Sequence, residues 1–317
     1  MADESRAMKD ENGEKKPQLL MARKIYKGIP MFENEVEKIE TMDTRPDDIW
    51  VCSFPRSGTT LTQEMTYLVQ TLDFDTALSV QLDVRFPIID VKDDRYPYYK
   101  DLRSSWDESI EHYQPQGIFI GLYPHFQFEN KNACMAMPNT KGEDTIYIAR
   151  NPKDIVTSFY RLMRWGNALQ EMDATWDLFV DAFINGQGLY GHWPRHVLGF
   201  WEASRKNDNI LFLKYEDVVQ DLPAACRQIA DFLDRKLTDD DVNRICQHCQ
   251  VDRMRSNNNV NMSYYKTFKR VNEDQEGGFI NQGRAGAWKD LLSPEIVARC
   301  DTLIAQLEGS GLEIRDH

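Results

Sequence analysis

Eight consecutive residues, Ser53-Phe54-Pro55-Arg56-Ser57-Gly58-Thr59-Thr60, carry types and spacing suited to chemistry. Arg56 brings a charge that stays on at any physiological pH. Ser57, Thr59 and Thr60 add hydroxyl donors, while Pro55 and Gly58 stop regular structure and let the backbone turn tightly. A guanidinium, hydroxyls and free backbone N–H groups on one turn make a cradle for a phosphate-type anion. The competing reading is an ordinary strand-to-helix connection with a surface arginine. The Walker-type phosphate loop is excluded, because GxxxxGK[ST] does not occur in the chain.

The flanking residues are those needed to aim such a turn. Ile49 to Cys52 is an apolar run of strand length, and Leu61, Met65 and Leu68 recur at i, i+4 and i+7 as on a helix. The same layout returns further on. Asp144 to Ala149 reads as a strand that runs into Arg150-Asn151-Pro152-Lys153-Asp154. Pro152 suits a first helical turn and Asp154 suits its dipole. Arg150 is therefore expected at a strand's C-terminal end, the ligand edge of an open parallel sheet, with Ser158 two turns into the helix. Asn209 to Lys214 is a third strand, followed by Tyr215-Glu216-Asp217. Helices are expected over Trp176–Ile184, Pro223–Leu233, Thr238–His248 and Pro294–Leu307, and a short one over Glu33–Met42. Strands at about 48–54, 145–149 and 209–214 alternating with helices predict an α/β fold, one domain with a mostly parallel central sheet flanked by helices. The division expected is a disordered charged tail over 1–18 and a single domain over 19–317. Tyr96 to Phe128 reads as irregular and aromatic. Those rings suit either a pocket for a ring-bearing substrate or the packing of the loops themselves.

Composition narrows the partners. A chain of 317 residues with formal net charge −13 is a poor general binder of nucleic acid or anionic membrane. Positive charge for an anionic ligand must be gathered locally, with Arg56, Arg150 and Arg284 as candidates. No apolar run approaches the 18 residues of a membrane span, and the first 20 residues lack a signal-type core. Six scattered cysteines suit reduced thiols and a cytoplasmic location. Cys246-Gln247-His248-Cys249 lacks the further ligands of a zinc site, so no metal is expected.

Phe54 to Thr60 resembles the 5′-phosphosulfate loop of the cytosolic sulfotransferases, enzymes that use 3′-phosphoadenosine 5′-phosphosulfate (PAPS) and release the bisphosphate (PAP). The loop usually reads Y-P-K-S-G-T-T-W, so Arg56 stands for Lys and Leu61 for Trp. Tyr147 to Phe159 is similar to the family's second signature, Y-x-x-R-N-x-K-D-x-x-V-S-x, and Leu211 to Asp217 to its L-x-Y-E-D segment. The likeness covers nearly everything after residue 25. It implies a sulfotransferase fold with a P-loop-like turn, and transfer of a sulfuryl group to a hydroxyl or amine of a small acceptor of phenol, catecholamine, steroid or retinoid type. It further implies that Arg56, Ser57, Gly58, Thr59, Thr60 and Leu61 hold the phosphosulfate end. Arg150 and Ser158 would hold the 3′-phosphate, and Tyr215 would contact the nucleotide.

Two segments depart from the pattern. Cys249-Gln250-Val251 stands where the family has T-S-F at the adenine, so Val251 offers a flat apolar contact without aromatic stacking. Asn281-Gln282-Gly283 replaces R-K-G, and two cations that grip the 3′-phosphate are gone. Charge-assisted hydrogen bonds contribute about 1.5–3 kcal/mol each, so losing two would weaken the cofactor by about 10²–10⁴-fold unless Arg284 moves in. The family's catalytic base sits in K-T/S-H-L-P. Its nearest counterpart is Leu122-Tyr123-Pro124-His125-Phe126, making His125 the candidate base, with His112 as runner-up and no histidine base as the third possibility. His192, His196 and His248 read as structural. Three further readings stay open: a weakened nucleotide- or partner-binding homologue, a kinase-like enzyme, and a dehydratase acting through transient sulfonation. That last one arises because RSGTT-TQE and Asn259 to Met262 are similar to the insect retinol dehydratase branch. The family's dimer motif is poorly kept at Ser293, Pro294 and Ala298, leaving the oligomeric state open.

Overall fold

The computed structural model describes residues 24–26, 28–31, 48–86, 119–122, 144–166, 175–263 and 278–316. The expected tail over 1–18, the expected helix over 33–42, most of the aromatic stretch, and His112 and His125 lie outside the described residues.

The chain enters through an antiparallel hairpin, β1 (Lys24–Tyr26) and β2 (Ile29–Met31). Gly28 adopts φ +80° in its turn. Strand β3 (Ile49–Ser53) leads into α1 (Thr59–Thr71), followed by two short helices, α2 (Phe74–Ser79) and α3 (Leu82–Arg85). Next come β4 (Phe119–Leu122), β5 (Asp144–Ala149), α4 (Pro152–Trp165), α5 (Trp176–Ile184) and α6 (Trp193–Ser204). Strand β6 (Ile210–Lys214) passes directly into α7 (Tyr215–Gln220). Helices α8 (Leu222–Phe232), α9 (Asp239–His248) and α10 (Val251–Ser256) follow, then a 3₁₀ turn (Ala287–Asp290) and α11 (Pro294–Ala305).

Strands β4-β3-β5-β6 form one parallel sheet in that order. Its strands alternate side chains between two apolar layers. Trp50, Cys52, Tyr147 and Ala149 face one core with α4, α5, α6 and α11. Ile49, Val51, Ile146 and Ile148 face the other with α1, α8 and α9. Burial on both faces explains why these strands are continuous apolar runs rather than alternating ones.

The expected parallel α/β sheet is present, with one addition. Phe119–Leu122 lies in a stretch expected to be irregular, yet it pairs with β3 over Ile49 to Cys52. From β3 the chain moves outward to β4, then returns to place β5 on β3's other side. The connections after β3 and β5 therefore diverge, and such a switch point opens a crevice at the strands' C-terminal ends. Arg56 and Arg150 both lie on connections leaving that crevice.

Candidate active site

The turn from Phe54 to Gly58 is tightly built. Ser57 N–H donates to the Phe54 carbonyl at 3.2 Å. Arg56 adopts φ +69° and Gly58 φ +108°. Gly58 is required on two counts. Its dihedral disfavours any side chain, and a Cβ there would stand 2.5 Å from Cδ2 of Tyr215. The turn ends at the N-terminus of α1, whose first N–H groups have no intrahelical acceptor. No side chain caps them, and no acidic residue occupies the first turn. The Ser57 hydroxyl is buried without a hydrogen-bond partner. These free donors fit an anion seated on the turn. The Thr59 hydroxyl lies 2.6 Å from that of Ser53. Thr60 and Leu61 are half-buried in the first turn of α1.

The second arginine is tied to the first. Arg150 Nη1 donates to the Arg56 carbonyl at 3.0 Å, and its guanidinium stacks over Tyr215 at 4.2 Å. Asp154, one turn into α4, faces Arg150 Nη2 at 3.6 Å and accepts the N–H groups of Gly286 and Trp288 at 2.8 and 3.0 Å. Arg56 in turn donates Nε–H to Ser158 Oγ at 3.0 Å, and its guanidinium lies 5.0 Å from the ring centre of Phe279. Arg56, Arg150, Ser158 and Tyr215 thus form one connected group. Burial raises the pKa of the Tyr215 hydroxyl, which keeps it a neutral donor.

Among the other candidate residues, Val251 opens α10 and touches Gly283, where a Cβ would stand 2.5 Å from Val251 Cγ2. Cys249 caps α9 with its thiol buried and its pKa raised by burial and by Glu64. Asn281 and Gln282 are exposed, and the Asn281 carbonyl accepts from Arg255 at 2.6 Å. The Arg284 guanidinium is engaged elsewhere: it bonds Asp290 at 2.5 Å and Gln282 Oε1 at 2.7 Å, and the Arg284 carbonyl accepts from Arg150 at 3.3 Å.

Residues missed by sequence reasoning include Phe279, which covers Arg56, and Glu216. Glu216 Oε1 accepts the Asn151 N–H at 2.8 Å, while burial pushes its pKa up to about 7 against that hydrogen bond. No spacing rule marks either residue, since each acts on a partner far along the chain. His196 is buried and pairs its Nδ1 with the Tyr147 hydroxyl at 2.9 Å, and His248 pairs with buried Glu64 at 2.7 Å. No cluster able to hold a metal ion occurs among the described residues, and none of their helices is long and apolar enough to cross a membrane.

A family model described as "Sulfotransferase domain" matches residues 46–310. Sulfotransferase 4A1 of Homo sapiens is 30% identical over 285 residues, covering 88% of this chain and 87% of that protein. Sulfotransferase 1A1 of Canis lupus familiaris is 27% identical over 297 residues, covering 92% and 95%. Among solved structures, retinol dehydratase in complex with retinol and PAP superposes with a TM-score of 0.73 at 27% identity, covering 88% of this chain and 86% of that one.

Proposed function

The chain belongs to the sulfotransferase family, and from that premise we propose how its residues share the transfer of a sulfuryl group from PAPS to a small hydroxylated acceptor. PAPS supplies the sulfuryl group and departs as PAP. The observation that carries the assignment is the tie between Arg150 and the Arg56 carbonyl, with Arg56 bonded to Ser158. It makes two anion subsites into one unit at the edge of adjacent parallel strands, as a bisphosphate cofactor needs.

Arg56, the free hydroxyl of Ser57 and the first N–H groups of α1 bind the 5′ end and offset charge developing there. Gly58 keeps the turn open against Tyr215. Thr59 braces the turn through Ser53, and Thr60 adds a donor at its rim. Arg150 and Ser158 hold the 3′-phosphate, with Tyr215 supporting Arg150 by its ring face. Leu61 backs the phosphosulfate turn from the first turn of α1, and Cys249, Val251 and Gly283 border the adenine. The side-chain amides of Asn281 and Gln282 stand where the family has cations and offer neutral hydrogen bonds only. His125, outside the described residues, takes the acceptor's proton, for which a neutral imidazole is suited near pH 7. No metal enters this scheme.

The acceptor is an apolar, ring-bearing alcohol or phenol, in keeping with the aromatic stretch from Tyr96 to Phe128. Residues 19–317 act as one catalytic domain behind a charged tail, in the cytoplasm. A second reading is favoured by the likeness to retinol dehydratase, whose solved complexes hold retinol or androsterone with PAP. Incubation with PAPS and a panel of phenols, steroids and allylic alcohols, followed by mass spectrometry, tests both. A product heavier by one sulfuryl group supports transfer. A dehydrated polyene supports elimination. Unchanged acceptors across the panel, with no PAP released, would overturn both readings.

A further inference from the structure

The residues after α11 return to the sheet edge and fasten onto the N-terminus of α4, beside Arg150. Lys153, in the first turn of α4, is the centre of this contact. Its side chain is 2% exposed, yet its ammonium bonds Asp316 at 2.8 Å and Asp301 of α11 at 2.9 Å. It also lies 4.4 Å from the ring centre of Trp288. Burial opposes the charge of Lys153, but the hydrogen bonds to Asp316 and Asp301 outweigh it and raise its pKa. Two further contacts fix the same segment. Asn151 Nδ2 donates to the Arg315 carbonyl at 2.9 Å, and Arg315 Nε bonds Asp217 at 2.8 Å.

These anchors surround one residue. Asn151 and Lys153 flank the turn that leaves Arg150. Asn151 N–H is held by Glu216, the neighbour of Tyr215, on which Arg150 stacks. Asp217 belongs to that same helix, α7. Residues 315–316 therefore bridge the two elements, α4 and α7, whose first residues frame the Arg150 guanidinium. A buried ammonium between two half-exposed carboxylates is an arrangement that hydrophobic packing alone would not select, because desolvating the cation is costly.

We propose that Asp301, Arg315 and Asp316 form a clasp that positions Arg150 for the 3′-phosphate of the cofactor, so that discrimination for a 3′-phosphorylated nucleotide depends on residues that never touch it. These are positioning residues. The proposal rests on the reading of Arg150 as a nucleotide ligand. It also fits a site that lacks cations at Asn281 and Gln282, since the remaining arginine must then be held accurately.

The test is calorimetric titration of the full chain with PAP and with adenosine 5′-phosphate, which lacks the 3′-phosphate. Asp316→Asn, Arg315→Ala and the double substitution Asp301→Asn/Asp316→Asn are compared with wild type. The clasp predicts that PAP binds about tenfold more weakly to the double variant. Adenosine 5′-phosphate affinity and the acceptor KM should stay within twofold. Asp316→Asn alone keeps Asp301 as partner for Lys153, so it folds, and should show a smaller loss in the same direction. Equal weakening of both nucleotides, or no change in either, overturns the clasp. Wild type failing to distinguish the two nucleotides overturns the Arg150 assignment itself, and the clasp with it. Wild type discriminating as sharply as every variant overturns the clasp alone.

Discussion

Arg56 Nε–H donates to Ser158 Oγ at 3.0 Å, joining the turn after β3 to the second turn of α4, 102 positions along the chain. This bond orients the cation proposed for the sulfuryl-bearing end by means of a hydroxyl proposed for the 3′-phosphate. Arg56→Ala should abolish turnover of PAPS, because it removes the charge and the link together. Ser158→Ala should weaken PAP by about tenfold, about 1.4 kcal/mol, while leaving measurable turnover. Initial rates at saturating acceptor, with titration of PAP, check both.

The elements that carry this pair were legible in the sequence because each is signalled locally. The apolar run Ile49 to Cys52 and the Pro–Gly turn predicted β3 and its loop, and Pro152 with Asp154 predicted the start of α4. Trp176–Ile184 was predicted to the residue. Strand β4 was not predicted, since Phe119–Leu122 is short and contains Gly121, and only pairing with β3 makes it a strand. The pairing of Arg284 with Asp290, and of Lys153 with Asp316, depends on which partner is nearest in space, and composition says nothing of that.

Gly58 meets Tyr215 so closely that Gly58→Ala should be costly. The new Cβ would sit 2.5 Å from the ring and force φ +108° on an L residue. Strain of this kind costs about 1–3 kcal/mol. Thermal denaturation should show a lower Tm, and turnover should fall further than the Tm explains, because the anion turn itself is displaced.

Glu216 makes stability fall as pH rises. Its folded pKa of about 7 lies above the ordinary 4.5, so the folded state holds its proton more tightly than the unfolded chain. The contribution is fully present below pH 4.5 and is lost as pH rises through 7, amounting to roughly 3 kcal/mol. Urea denaturation at intervals from pH 5 to pH 8 should show this decline in wild type. Glu216→Gln keeps an oxygen for the Asn151 N–H and should flatten it.

By the family resemblance Asn281 and Gln282 stand in place of two cations, and both are exposed, so substitution there costs only the Gln282 Oε1 bond to Arg284. Asn281→Arg with Gln282→Lys should tighten PAP by tenfold or more, since one restored charge-assisted bond contributes about 1.5–3 kcal/mol. Adenosine 5′-phosphate should gain little. A titration in which both nucleotides gain equally would mean the new charges act as a general field rather than on the 3′-phosphate.

His125→Ala should lower the transfer rate at least a hundredfold while PAP affinity stays within twofold, because general-base catalysis contributes about 10²–10⁴ in rate. Single-turnover measurements with a phenol of ordinary pKa check the rate. A silent substitution would move the base to another residue, with His112 next to be replaced.

The central claim is that the arginine pair and its hydroxyls hold a nucleotide with phosphate groups at both the 5′ and 3′ positions. Calorimetric titration of the wild-type chain with PAP, and with the same nucleotide lacking its 3′-phosphate, tests it most directly. The account predicts micromolar or tighter binding of PAP and a loss of at least tenfold without the 3′-phosphate. No heat of binding at millimolar PAP, or equal affinity for the two nucleotides, would contradict it.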